Sequence, residues 1–191
     1  MTHVFLGWLP PVVALSVYLA RIIEVRTNRQ GNAEASRKNV TLRLFVLLGT
    51  LMLAGSLAEY FFLRKTILWP LFGLGVVVAL FSFFLRRRAI AALGRFWSFQ
   101  VEIRETHELV REGPFRWIRH PAYASMILEL LSLALLLGGW WTALVVYSAF
   151  LPTLVARIRT EENALIEKFG QNYIDFKRTT PALVPRLLRH S

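Results

Sequence analysis

The chain has 191 residues, of which 55% are hydrophobic, whereas soluble globular chains are about 45–50% apolar. Its mean hydropathy is +0.46. Composition therefore predicts an integral membrane protein without a separate large soluble domain. The formal net charge of +11 does not indicate nucleic-acid binding, because Lys and Arg cluster beside apolar runs, as the positive-inside rule describes. The absence of cysteine excludes disulfides, thiolate metal sites and cysteine nucleophiles, and we predict no metal site.

Three apolar runs in the first half of the chain predict transmembrane helices. They cover about Val4–Ala20, Leu44–Leu63 and Ile67–Leu85. In the first run, Pro10-Pro11 is predicted to kink or start the helix, and Arg21 is predicted to close it. A signal peptide is the alternative for this run, but no Lys or Arg precedes it, so we favour a retained span with its N-terminus outside.

Small residues and charges indicate how these helices are placed. The second run contains residues that let a neighbouring helix approach closely, namely Gly49, Ala54, Gly55 and Ser56. Arg86-Arg87-Arg88 ends the third run and predicts a cytoplasmic end there. We therefore divide the chain into an N-terminal region of three spans, residues 1–93, and a second region, residues 94–191.

The second region begins with an amphipathic segment that is not predicted to span the membrane. Apolar and polar residues alternate between Trp97 and Arg104, which predicts a short strand-like segment at the interface or an irregular lid with its aromatic side on the headgroups. A helical hairpin follows, about Ala122–Leu137 and Trp140–Val155, turned by Gly138-Gly139. The predicted architecture is an all-α, multi-pass membrane protein of about five transmembrane helices, followed by a basic cytoplasmic segment.

Polar residues at the start of the hairpin form the first part of a candidate site. Proline disfavours helical geometry at the residue before it, so Pro121 is predicted to begin a helix immediately after His120. The free N–H groups of that first turn, together with Arg119, suit an anionic group such as a carboxylate. Tyr123 lies in the same turn and is predicted to point toward the same mouth.

The second part lies on a helix predicted over about Pro152–Phe169, whose apolar stripe is flanked by Glu161 and Glu162. A carboxylate in such a position needs a partner, because a buried unpaired charge costs several kcal/mol. The candidates are Arg157, Arg119 across the hairpin mouth, and the cationic part of a ligand. Taken singly, each arginine also suits an interface anchor, and the glutamates suit a solvated helix surface.

Together these residues resemble the isoprenylcysteine carboxyl methyltransferase family and the related phospholipid methyltransferases. The matching stretches are Leu109-Val110, Gly113-Pro114-Phe115, Arg119-His120-Pro121-Ala122-Tyr123, Arg157 to Glu161-Glu162 with Leu165, and Phe169-Gly170 followed by Tyr173. They cover roughly residues 94–185, and the first spans match only as generic membrane helices. The chain departs from many members at Phe115, where tyrosine is common, and at Ser125, where glycine is common.

The resemblance implies an enzyme that uses S-adenosylmethionine, held in a cytoplasmic pocket that the C-terminal helix closes and that opens sideways to lipid. The implied cofactor-binding residues are Leu109, Val110, His120, Pro121, Tyr123, Glu161 and Glu162. The implied catalytic residues are Arg119, Arg157 and Glu161. On this basis Glu162→Gln is expected to weaken cofactor binding and to leave the protein folded.

The predicted function is therefore methyl transfer to a lipophilic acceptor at the interface of membrane and cytoplasm. The sequence leaves the acceptor open among an isoprenylcysteine-like carboxylate, a phospholipid amine and a small lipophile. Two alternatives remain, a membrane reductase of the sterol reductase type that uses NADPH, and a non-catalytic membrane scaffold. The expected partners are membrane lipids and a lipophilic substrate, and the membrane is the inner membrane in a bacterium or the endoplasmic reticulum in a eukaryote.

Overall fold

The computed structural model describes residues 2–27, 40–63, 66–94 and 109–185, and these residues contain helices and no β-strand. The helices are α1 (Thr2–Thr27), α2 (Val40–Ala58), α3 (Trp69–Leu93), α4 (Pro121–Leu137), α5 (Trp140–Phe169) and α6 (Gln171–Thr179). A π-helical turn, Glu59–Leu63, continues α2, and a 3₁₀ turn, Gly113–Arg116, precedes α4. The all-α prediction is confirmed, whereas the alternating segment from Trp97 to Arg104 lies outside the described residues.

Within the part of the chain that the structure describes, four helical segments are long and apolar enough to cross a membrane. They are Leu6–Val25, Val40–Leu63, Trp69–Leu93 and Trp140–Phe169. Apolar side chains on them remain exposed to the surroundings, for example Val77 at 62% and Val145 at 68%, as expected for contact with lipid. The chain is therefore an integral membrane protein. The fifth predicted span is α4, which has 17 residues and at 1.5 Å per residue is ~26 Å long, shorter than a hydrocarbon core of ~30 Å.

Two compact units divide the chain. The first unit comprises residues 1–80 and 128–153, and the second comprises residues 81–127 and 154–191. Helices α3, α4 and α5 each contribute residues to both units. The division at residues 93 and 94, which follows the order of the spans along the chain, stays a prediction.

Two helices continue through prolines at which the sequence predicted a helix start or, in the first span, a kink or a start. Helix α1 begins at Thr2 and runs over Pro10 and Pro11. Helix α5 runs over Pro152 without a break, so the prediction of a separate helix that starts at that proline is wrong. An internal proline removes one backbone hydrogen bond, and membrane helices tolerate this loss because neighbouring groups satisfy the freed carbonyl.

Arg21 lies inside α1 rather than at its end. Its guanidinium is 3.3 Å from the Glu24 carboxylate and 3.6 Å from the Glu129 carboxylate of α4. The three side chains are between 12% and 22% exposed. The two carboxylates neutralise the guanidinium, and helix α1 continues past Arg21 to Thr27.

Small residues in the first unit allow close contacts between helices. A Cβ atom added at Gly139 would lie 2.2 Å from Ser56 Oγ, and one added at Gly55 would lie 2.6 Å from the Thr142 side chain. The predicted close approach at Gly55 and Ser56 is thus confirmed. At Gly49 an added Cβ would make only an ordinary contact, at 3.8 Å.

A buried carboxylate in the first unit caps α5. Glu59 is 8% exposed. It accepts hydrogen bonds from the backbone N–H groups of Trp141 at 3.3 Å and Thr142 at 2.5 Å, and from the Thr142 hydroxyl at 2.5 Å. N–H groups of a first helical turn have no acceptor within the helix, and a helix N-terminus attracts negative charge. Glu59 was not among the residues predicted to be functional or structural, although a lone acidic residue in an apolar run is itself informative.

We expect Gly75→Ala to destabilise the protein by about 1–3 kcal/mol, the usual effect of overpacking. A Cβ at Gly75 would lie 2.9 Å from the backbone nitrogen of Leu136, so α3 would have to shift. Gly73→Ala on the same helix is the matched control, because a Cβ there meets no atom within 4 Å. Thermal unfolding in detergent compares the two variants, and equal melting temperatures would contradict the close contact at Gly75.

Candidate active site

The 3₁₀ turn leads the chain into α4. Its first residue, Gly113, has φ of +57°, a conformation that favours glycine, and the Phe115 side chain is buried. The His120 carbonyl accepts a hydrogen bond from the Ala124 N–H at 3.0 Å, so His120 caps the helix. Helix α4 begins at Pro121, which confirms the predicted start.

The C-terminal segment joins this helix start through backbone atoms. The N–H groups of Arg119 and His120 donate hydrogen bonds to the carbonyl oxygens of Pro181 and Ala182, each at 2.9 Å. We call α6 together with residues 180–185 the C-terminal strap. Because two consecutive backbone bonds are made, the register of the strap against His120 is fixed.

Glu162 lies at the centre of the charges in the second unit. Its Oε1 accepts hydrogen bonds from Arg119 Nη2 at 2.6 Å and Nε at 3.0 Å, and lies 3.1 Å from His120 Nε2. Lys177 Nζ lies 2.7 Å from its Oε2. The side chains of Glu162, Arg119 and His120 are 6%, 7% and 3% exposed, so water screens these charges weakly.

Arg119 also holds the strap. Its Nη1 donates hydrogen bonds to the backbone carbonyls of Lys177, at 3.1 Å, and Thr180. All three guanidinium nitrogens therefore have acceptors within the protein. The catalytic role that the resemblance implied for Arg119 stays a prediction.

The Tyr123 hydroxyl connects two further predicted residues, Glu161 and Arg157. It donates a hydrogen bond to Glu161 Oε2 at 2.7 Å and accepts one from Arg157 Nε at 3.2 Å. His120 Nδ1 lies 3.9 Å from the other oxygen of Glu161. The structure thus brings together six predicted site residues: Arg119, His120, Tyr123, Arg157, Glu161 and Glu162.

The glutamates differ in their surroundings more than the helical pattern indicated. Glu162 was predicted to flank the apolar stripe of α5, but it is as buried as Leu154 and Ile158, which precede it on the same face. The Glu161 side chain is 31% exposed. The flanking position is therefore wrong for Glu162, because Arg119 neutralises its charge and the Arg119 and His120 side chains cover it.

Tyr173 on α6 places a buried hydroxyl near the same charges. Tyr173 is 1% exposed, and its hydroxyl has no hydrogen-bond partner among the described residues. Burial, and to a lesser extent the Glu162 carboxylate, raises the pKa of this phenol above its ordinary value. The hydroxyl therefore remains a protonated donor at neutral pH.

The other predicted positions lie close to these residues in the chain. Leu109 and Val110 are half-buried just before the 3₁₀ turn, and their contact with a cofactor stays a prediction. Pro121 is fully buried. Ser125 is also buried, and its hydroxyl donates to the Ala122 carbonyl of its own helix at 2.6 Å, so the extra side chain folds back on α4.

Two parts of the site were not predicted. Lys177 stands next to Arg178 in a basic run of the kind that usually covers a solvated surface. The carbonyls of Pro181 and Ala182 act through the backbone, which any residue type supplies. The partner of a backbone carbonyl leaves no trace in sequence patterns, and the pairing of Lys177 with Glu162 is recognisable only once α6 is known to pack there.

The fold and the site define a class: an integral membrane protein, helical over the described residues, in which a buried carboxylate and its cationic partners lie at a His-Pro helix start. The sequence model of the isoprenylcysteine carboxyl methyltransferase (ICMT) family matches residues 74–167. The uncharacterized protein YpbQ of Bacillus subtilis is 30% identical over 158 residues, which are 81% of this chain and 90% of YpbQ. Protein-S-isoprenylcysteine O-methyltransferase B of Arabidopsis thaliana is 28% identical over 119 residues, which are 61% of this chain and 60% of that enzyme.

A solved structure agrees on the fold. The eukaryotic intramembrane Ras methyltransferase ICMT superposes with a TM-score of 0.71 at 22% identity, over 93% of this chain and 68% of that chain. The chain thus spans most of YpbQ but only 60% of the plant methyltransferase. The chain belongs to the isoprenylcysteine carboxyl methyltransferase family.

Proposed function

We propose that this protein transfers a methyl group from S-adenosylmethionine to a carboxylate on a lipophilic acceptor, at the cytoplasmic edge of the membrane. The observation that carries the proposal is the convergence of Tyr123, Arg157 and Glu161, which places a guanidinium and a partly exposed carboxylate on either side of one hydroxyl. Membership of the family supports the reaction class.

The residues present fit a cationic methyl donor. Glu161 is 31% exposed, whereas Glu162 is 6% exposed and has cationic partners at both oxygens. Tyr123 fixes one oxygen of Glu161, which leaves the other, Oε1, facing His120 at 3.9 Å. A carboxylate with spare acceptor capacity suits an ammonium or sulfonium group.

S-adenosylmethionine, when bound, supplies a methyl group that its sulfonium has already activated. The chain therefore has to align the acceptor and exclude water, and alignment is worth several kcal/mol of the barrier. The buried His120 side chain and the strap can serve that purpose, because two backbone hydrogen bonds hold the strap against the start of α4.

A carboxylate acceptor fits the charges better than an amine does. The planar guanidinium of Arg157 suits the two oxygens of a carboxylate. A carboxylate acceptor needs no general base, whereas an amine needs Glu161 or His120 to take its proton. The name of the plant relative specifies isoprenylcysteine, and an isoprenylcysteine-like carboxylate is the acceptor that we propose.

The length of α5 supports a site beyond the hydrocarbon core. The helix has 30 residues, which is ~45 Å at 1.5 Å per residue, whereas the core is ~30 Å thick. With Trp140 and Trp141 as anchors at one interface, the last turns project beyond the other, and these turns carry Glu161 and Glu162. Basic residues near this end favour the cytoplasmic side: Arg157, Arg159, Lys168, Lys177 and Arg178.

Calorimetric titration of the detergent-solubilised protein tests the reaction class. Binding heat with S-adenosylhomocysteine and none with NADPH is the expected result, and the reverse would favour the reductase alternative. No heat with either ligand would overturn the proposal. Incubation of native membranes with a donor labelled in its methyl group, followed by identification of the labelled lipid or protein, tests the acceptor.

We expect Arg157→Gln to lower kcat/KM by about 100-fold, the scale of a misplaced reactant, with little change in the affinity for S-adenosylhomocysteine. The reason is that Arg157 is proposed to orient the acceptor and not the donor. Arg159→Gln is the matched control, because Arg159 is exposed two residues further along α5. A loss of donor affinity that parallels the loss of activity would contradict this role.

A further inference from the structure

The two carboxylate oxygens of Glu162 are held unequally. Oε1 receives two hydrogen bonds from Arg119 and lies 3.1 Å from His120, so its lone pairs are fully used. Oε2 is 2.7 Å from Lys177 Nζ. Any ligand that contacts Glu162 directly must therefore approach at the oxygen that Lys177 occupies.

Lys177 differs from the other described partners of Glu162 in its freedom to move. Arg119 and His120 are 7% and 3% exposed, and their backbone N–H groups are fixed to Pro181 and Ala182. The Lys177 side chain is 45% exposed, on a four-carbon stem. Removing Arg119 from Glu162 would leave a buried charge unpaired, whereas Lys177 can turn into water.

Lys177 also belongs to the strap, and its backbone carbonyl accepts a hydrogen bond from Arg119 at 3.1 Å. The same residue thus contacts the site through two groups, a fixed carbonyl and a mobile ammonium. Release of the ammonium removes one contact of the strap and leaves the Arg119 bonds in place. The Lys177–Glu162 ion pair, which we call the latch, can therefore break while the hydrogen bonds between Arg119 and the strap stay in place.

We propose that Lys177 is a displaceable counter-ion, whose ammonium occupies the position on Glu162 Oε2 that a cationic group of the methyl donor takes when it binds. This inference rests on the proposed function. Donor binding and release of Lys177 are then coupled, and the strap gains mobility in its α6 part when the donor replaces the lysine.

The size of the effect follows from the exposure of the pair. The Lys177 side chain is 45% exposed, so water compensates for much of the lost contact, and a ligand that must break the pair binds about two- to fivefold more weakly than it would without it. Lys177→Gln removes the competing charge and keeps the length of the side chain. We therefore expect this variant to bind S-adenosylmethionine about two- to fivefold more tightly than the wild type.

Calorimetric titration of the full-length protein in detergent tests the inference with S-adenosylmethionine, for the wild type, Lys177→Gln and Arg178→Gln. Arg178 is the matched control, because it neighbours Lys177 but pairs with Asp175 at 3.8 Å on the exposed side of α6. Tighter binding confined to Lys177→Gln supports displacement. Binding that is unchanged or weaker in Lys177→Gln overturns this inference and leaves the proposed function intact.

Hydrogen exchange of the strap without ligand supplies a second readout. We expect faster amide exchange over residues 171–179 in Lys177→Gln than in Arg178→Gln. The first variant loses a contact between α6 and Glu162 of α5, whereas the second loses only an exposed ion pair within α6. Equal exchange in the two variants would contradict the latch. Failure of the wild type to bind any donor overturns the proposed function itself, and that outcome differs from a wild type and variant that bind alike.

Discussion

Glu162→Gln is expected to lower the stability of the second unit by about 3 kcal/mol, the effect of removing one partner from a buried ion pair. The amide keeps the shape of the side chain but carries no charge, so Arg119 remains buried opposite a neutral group. For a chain of this length the loss corresponds to a decrease of about 6–12 °C in melting temperature. The expectation from sequence is that the variant binds the cofactor more weakly and stays folded, and the buried ion pair adds a loss of stability to it.

Glu161→Gln is the matched comparison, because the two glutamates are adjacent and differ in burial. Glu161 is 31% exposed and its described hydrogen-bond donor is the neutral Tyr123 hydroxyl, so we expect a loss of about 1 kcal/mol or less. The affinity for S-adenosylhomocysteine should fall more in this variant. Thermal unfolding and calorimetry of both proteins separate stability from binding, and a melting temperature of Glu162→Gln equal to that of the wild type would refute the structural role.

Glu59→Ala is expected to destabilise the first unit by about 3 kcal/mol. The substitution leaves two N–H groups at the start of α5, and the Thr142 hydroxyl, without their acceptor. Hydrogen bonds to charged groups contribute about 1.5–3 kcal/mol each, and part of that value is recovered when other groups rearrange. Glu59→Gln retains an acceptor oxygen and should show an intermediate loss.

The control for this prediction is Glu167→Gln, which removes an exposed carboxylate from the same helix that Glu59 caps. Its stability should change by less than about 0.5 kcal/mol, as for most surface substitutions. Thermal unfolding of the three variants in one detergent gives the comparison. Similar melting temperatures for Glu59→Ala and Glu167→Gln would show that the capping contact has no energetic importance.

The elements set by a few adjacent residues could be predicted from the sequence. Helix α4 begins at Pro121 and ends at Leu137, and α5 begins at Trp140, as the proline and the Gly138-Gly139 pair indicated. Proline and glycine restrict or free the backbone within one or two residues, so their effect does not depend on the rest of the fold. The start of α4 and the turn of the hairpin are therefore readable without a structure, whereas the second arm continues to Phe169 instead of ending near Val155.

Pairings between distant residues could not be predicted in the same way. Glu59 and its donors are 82 and 83 residues apart, and Arg119 and Glu162 are 43 apart. The sequence identified Arg119 as one candidate among three for the glutamates, and the helix packing selects it for Glu162. The continuity of α5 through Pro152 is also a tertiary effect, because the surroundings of a helix decide whether it tolerates a proline.

The sequence predicted which residues form the candidate site, but it did not predict that the two glutamates differ in burial. The resemblance gathered six residues that the structure places in contact, and it grouped both glutamates as ligands of the cofactor. Burial separates them, because Glu162 is enclosed by cations whereas Glu161 keeps exposed surface. Burial depends on which helix lies opposite, and a single sequence does not specify that.

The hydrogen bonds from the backbone of Arg119-His120 to that of Pro181-Ala182 do not depend on the side chains of residues 181 and 182. The contact between the strap and the site can therefore persist while the sequence of the strap changes. Every amino acid offers a carbonyl oxygen, so residues 181 and 182 can be replaced over evolutionary time while both contacts persist. The family model matches only as far as residue 167, before the strap begins. Divergent relatives can therefore share this closure even where an alignment of their last residues shows little in common.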